Sequence, residues 1–122
     1  MGIQSYRDLY VWQKAMDLVV ETYSLVKLLP REENYALSAQ MRRAVVSIPS
    51  NIAEGHQRSS KKDYIRFLYI AGGSNAELET QLLICQKLNY LSQEQTETAL
   101  KLCEEISRML SSLIKKLEPP NP

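Results

Sequence analysis

The chain has few of the residues that break a fold or staple it. Only 4 glycines and 5 prolines occur in 122 residues, too few for a turn-rich β-sandwich, and no low-complexity tract points to disorder. The 2 cysteines, Cys85 and Cys103, each fall on an apolar helical stripe, where thiols are buried and unreactive, and a disulfide is not expected. A single histidine, His56, supplies neither the Glu-x-x-His pairs of a di-iron bundle nor a zinc ligand set, and it leaves a Ser-His-Asp or Cys-His arrangement without an obvious third member. No Gly-x-x-x-x-Gly-Lys loop is present to cradle nucleotide phosphates. Neither a signal core nor an uncharged run of about 18 residues appears, so the chain reads as cytoplasmic, with no membrane partner. Tyr6 stands where a myristoylation motif needs a hydroxyl-bearing Ser or Thr, so Met1-Gly2 is not read as one. No cofactor, metal or catalytic role is expected, a Glu54 and Glu77 carboxylate pair being the one conceivable reaction centre.

What is present suits helices. Apolar residues make up 44% and charged residues 24% of the chain, ordinary globular proportions for a single domain spanning residues 1–122. The net charge of +1 hides a polarity. From Gln40 to Arg66 six basic residues face two acidic ones, and from Ala76 to Ile106 the ratio is reversed.

Four amphipathic segments follow from the spacing of apolar residues. Trp12, Ala15, Met16, Val19, Tyr23 and Val26 predict a helix from about Leu9 to Leu28. Leu37, Met41, Val45, Ile48 and Ile52 predict a second, with Gly55 as its exit. Ser60-Lys61-Lys62-Asp63 reads as a capping box opening a third, which carries Tyr64, Phe67, Leu68, Ala71, Leu78, Leu82 and Cys85. Ser92-Gln93-Glu94-Gln95 opens the fourth, which runs through Ala99, Leu100, Cys103, Ile106, Leu110, Leu113 and Leu117 until Pro119-Pro120 stops it, leaving 119–122 as a frayed tail. Short connections make successive helices antiparallel, so the expected fold is all-α, an up-down-up-down four-helix bundle. Val11, Leu18 and Leu25, with Ile65, Ile70, Leu83 and Ile84, lie off these stripes and are expected to be buried partly between subunits of a homo-oligomer.

SIPSNIAEG, residues 47–55, breaks the pattern of the second helix. Pro49 removes a backbone donor and crowds the carbonyl of Val45, so a kink is expected, either as a simple bend or to aim the next turn. Ser47, Asn51 and Glu54 form a polar stripe beside the apolar one, matched on the third helix by Ser74 and Glu77 after Gly72-Gly73, whose missing side chains would admit another backbone. These five residues are either a structural polar junction or a solvated face. Arg58, Lys61, Lys62 and Arg66 cluster at the following corner, with Tyr64 and Tyr69 as nearby stacking groups; the cluster either contacts the phosphates of RNA or DNA or is merely solvated. Arg42 and Arg43 lie too far along the helix to join it.

SIPSNIAEG and the following QRSSKKDYIRFLYIAGGSNAELET, together with YRDLYVWQKAMDL, LPREENYALSAQMRRAVV and the leucine-rich last helix, resemble the four-helix-bundle family encoded in intervening sequences of 23S ribosomal RNA genes. The resemblance implies a ring-like homopentamer with no established catalytic activity, in which the polar junction holds helices or subunits together. A related branch assists the reverse transcriptase of diversity-generating retroelements and binds nucleic acid. That branch is markedly basic and this chain is not, which speaks against a reverse transcriptase partner. The reading reached is a non-enzymatic oligomeric bundle that binds RNA or DNA weakly through its basic corner; the alternative is a protein-interaction scaffold without nucleic-acid binding.

Overall fold

In the computed structural model, residues 5–119 are described; most of the expected tail, and Met1-Gly2, lie outside them. After a short 3₁₀ turn, Tyr6–Asp8, come α1 (Tyr10–Val26), a second 3₁₀ turn at Arg31–Glu33, α2 (Leu37–His56), α3 (Lys61–Lys87) and α4 (Gln93–Leu117). The chain is a four-helix bundle. α1 and α3 each pack on α2 and α4, so they stand diagonally across the bundle. Ser47 meets Ser74 and Gly55 lies against Phe67, so α2 and α3 run antiparallel, as do α3 and α4, where Tyr69 meets Glu118, Asn75 the Cys103 carbonyl and Gln86 Thr96.

The helix ends follow local chemistry. Ser60 accepts from the Asp63 amide at 3.1 Å, starting α3, while the Asp63 carboxylate turns to Arg66 at 3.7 Å. Ser92 and Gln95 complete a reciprocal capping box at 3.0 and 2.9 Å, and α4 stops two residues before Pro119. Just past the end of α3, Asn89, with a φ of 61°, lets the chain reverse while the Tyr90 amide bonds back to the Cys85 carbonyl. α2 lacks a side-chain cap, but Glu33 accepts from the Leu37 amide at 3.3 Å and from the Tyr90 hydroxyl at 2.8 Å, tying two loops at one end.

Three expectations for the helices are corrected. Val11, Leu18 and Leu25 are buried in the bundle's own core, and Met16 and Tyr23, placed on the inner stripe from their spacing, are each 40% exposed. α1 is apolar around most of its circumference, so its neighbours, not its periodicity, choose the inner face. α2 does end one residue after Gly55, at His56, but not through a left-handed glycine: Gly55 is still helical and buried, where an added Cβ would come within 2.7 Å of the Phe67 Cβ. It is the missing side chain that lets α2 and α3 approach. Conversely, Gly72 and Gly73 admit no backbone of this chain; a Cβ on Gly72 would make only ordinary contact with Leu110, and one on Gly73 would meet nothing within 4 Å. The helix runs unbroken through buried Pro49, which cannot donate to the Val45 carbonyl.

Candidate functional site

The α2–α3 seam gathers part of the expected polar junction. Ser47 and Ser74 hydroxyls meet at 2.8 Å, and the Asn51 amide donates to the Ser47 Oγ at 2.9 Å and to the Ser47 carbonyl at 2.8 Å. This half-buried triad ties the turn before Pro49 to the middle of α3. Glu54 and Glu77 do not join it. Glu54 pairs with Arg58 one turn on at 3.3 Å, and Glu77 accepts from Gln81 at 3.2 Å; both carboxylates face solvent. A carboxylate needs charge-assisted partners or water, and each finds them on its own helix.

The basic corner divides into two kinds of residue. Arg58 and Arg66 stack on the same ring, with Cζ atoms 4.8 and 4.6 Å from the Phe67 centroid, and each also holds a carboxylate, Glu54 or Asp63. Both guanidinium groups are thus partly engaged within the chain, though still exposed. Lys61 and Lys62 form no ion pair among the described residues. They line a cleft of about 730 Å³ with Ile65, and the antiparallel return of α4 adds Lys116, Leu117, Glu118 and Pro119. Lys116 is a residue sequence reasoning missed, since nothing local links position 116 to 61. Tyr69 is exposed near this end, whereas Tyr64 is half-buried against His56 at 5.7 Å, so only the first of the expected stacking groups is open to solvent.

Burial pushes the Cys85 thiol up to about 11 and the Cys103 thiol to about 12, keeping both protonated. The histidine packs edge-on against Tyr64, its Nδ1 without a partner among the described residues. Among the described residues no three His, Cys, Asp or Glu side chains gather as metal ligands would, and no helix is long and apolar enough to cross a membrane.

The pattern of the 23S rRNA-intervening sequence proteins matches residues 7–112, taking in all of α1, α2 and α3 and most of α4. The chain belongs to this family. The crystal structure of a protein of unknown function from the S23 ribosomal protein family, from Bacteroides thetaiotaomicron VPI-5482, is similar to it, with a TM-score of 0.80, 33% identity, and coverage of 86% of this chain and 98% of that one. No curated protein matches the chain. The resemblance that the sequence carried is thereby shown for the family and for the fold.

Proposed function

We propose that this member of the 23S rRNA-intervening sequence family is a non-enzymatic, homo-oligomeric bundle that binds RNA or DNA weakly and without sequence preference. The observation that carries the reading is the cleft where Lys61, Lys62 and Lys116 converge without ion pairs, at the amino end of α3, where free N–H groups add to the attraction for phosphate. Arg58 and Arg66, although part of the corner, already have carboxylate partners and contribute less. The family name ties its genes to 23S ribosomal RNA, which makes RNA the first ligand to test. A pentameric ring would repeat the cleft around a rim, so weak contacts would add through effective concentration.

The test is fluorescence anisotropy with labelled single-stranded RNA and DNA oligonucleotides at low salt. Changing Lys61, Lys62 and Lys116 together to Glu is expected to weaken binding by at least about tenfold, because two or more phosphate contacts are lost. Changing Arg58 alone to Gln should do much less. Absence of binding by the parent chain would favour the second reading, a protein-interaction scaffold, which the exposed apolar side chains of Val20, Tyr23, Ile70 and Leu88 support.

A further inference from the structure

The lysine cleft contains a carboxylate that phosphate binding alone does not explain. Lys61, Lys62 and Lys116 line it together with Glu118, and Ile65, Leu117 and Pro119 give it apolar walls. Glu118 forms no ion pair among the described residues, although three lysines share its cleft. It stands just past the end of α4, on backbone that has already turned extended, and its Oε1 accepts from the Tyr69 hydroxyl of α3 at 3.4 Å. Its other oxygen, Oε2, has no partner among the described residues. Glu118 also borders a second cleft, lined by Tyr69, Ser111, Ser112 and Lys115, so the carboxylate stands on the ridge between the two and Tyr69 reaches it from the far side.

A volume of about 730 Å³ falls within the range of sites that hold one small ligand. The groups around it match the parts of one ribonucleotide. Ammonium groups attract the phosphate, and apolar walls cover a face of the base or sugar. The carboxylate only accepts hydrogen bonds. Toward phosphate it is repulsive, and against a deoxyribose within a strand, which offers it no donor, it gives up water without replacement. A ribose 2′-hydroxyl is a donor, and its bond to a carboxylate is charge-assisted.

We infer, resting on the nucleic-acid reading above, that the cleft takes RNA in preference to DNA, with Glu118 accepting from a ribose 2′-hydroxyl while the lysines hold the adjacent phosphate. Tyr69 is a positioning residue, because its hydroxyl steadies the carboxylate from outside the cleft.

Fluorescence anisotropy at low salt with oligouridylate, its 2′-O-methyl form and oligodeoxyuridylate of equal length compares the sugars on one base. The parent chain should bind oligouridylate at least about threefold more tightly than either of the others, the modest ratio expected of a charge-assisted bond at an exposed site. The 2′-O-methyl strand keeps the sugar pucker of RNA but has lost the donor, so its weaker binding assigns the preference to the hydroxyl. Glu118→Ala should tighten the DNA strand, since a repulsive charge has gone, and bring the three affinities together with unchanged helical circular dichroism. Tyr69→Phe should lower the ratio of RNA to DNA affinity while the DNA affinity holds. Equal binding of the three strands by the parent chain, a 2′-O-methyl strand bound as tightly as the unmodified one, or a ratio untouched by Glu118→Ala would overturn the role of Glu118 and spare the electrostatic reading. No binding of any strand removes both.

Discussion

Gly55 and Gly72 are both helical, and their replacement by alanine should act in opposite directions. At Gly55 the new methyl would meet the Phe67 Cβ at 2.7 Å and the Tyr64 carbonyl at 3.3 Å, groups close to rigid backbone. Overpacking of about 1–3 kcal/mol set against a gain of about 1 kcal/mol in helix propensity leaves Gly55→Ala destabilised by up to about 2 kcal/mol. Gly72→Ala, whose methyl would make only ordinary contact with Leu110 at 3.9 Å, should gain about 0.5–1 kcal/mol. Urea unfolding of the two variants checks both signs. The thiols give a pH-dependent counterpart. Burial raises Cys85 to about 11 and Cys103 to about 12 from an ordinary value of 9.0, so the neutral forms favour the fold below pH 9 and that contribution is lost as pH rises toward 11 and 12. The urea midpoint should fall between pH 9 and 11, and the Cys85→Ala, Cys103→Ala variant should show a shallower fall.

Between elements, the α2–α3 seam combines one close packing point with one polar triad. Gly55 against Phe67 sets the spacing at the corner end, and Ser47, Asn51 and Ser74 fix the pair further along. Removing the Ser74 hydroxyl costs one half-buried bond and removing that of Ser47 costs two, one of them shared, so Ser47→Ala and Ser74→Ala should couple by about 0.5–1.5 kcal/mol in a double-mutant cycle. Asn51→Leu should destabilise by about 1 kcal/mol, since the Ser47 carbonyl keeps its helical donor and only the side-chain bonds disappear. A cycle with no coupling would reduce the triad to a solvated stripe. The α3–α4 pair is registered differently, by Asn75, which is buried and donates to the Cys103 carbonyl at 2.8 Å. A buried polar group in an apolar core favours the register that satisfies it, and Gln86 donating to the buried Thr96 hydroxyl at 2.6 Å adds a second such tie between these helices.

For the whole molecule, the net charge of +1 conceals a division that folding sharpens. The amino end of α3 and the carboxyl end of α4 bring lysines together, while Glu79, Glu94, Glu97 and Glu104 line a groove of about 700 Å³ farther along the same helix pair. Nucleic acid should therefore engage one end only. The logarithm of affinity should fall linearly with the logarithm of salt, at a slope near −0.7 per phosphate engaged for a single strand, or about −2 if three lysines of one cleft act. Titrating a labelled strand from low to physiological salt measures it. A flat response would remove the electrostatic contact, and a much steeper one would be expected if several clefts acted together in the proposed oligomer.

Sequence alone determined the number of helices, most of their ends and the inner face of α4. Ser60, Ser92 and Pro119 act within a turn of where they stand, and the apolar residues of α4 occupy a single narrow arc. The same locality explains the limits. α1 carries apolar residues nearly all round, so only its neighbours could choose Val11, Leu18 and Leu25 for the core and leave Met16, Val20 and Tyr23 outside. Gly55 read as a stop because helix ends favour glycine, and only the approach of α3 shows that it is a contact. Glu54 and Glu77 share the spacing of the polar stripe, yet solvation of a carboxylate keeps them at its edge. Lys116 joins Lys61 and Lys62 across more than fifty positions of chain, a proximity that exists only once α4 has packed antiparallel on α3.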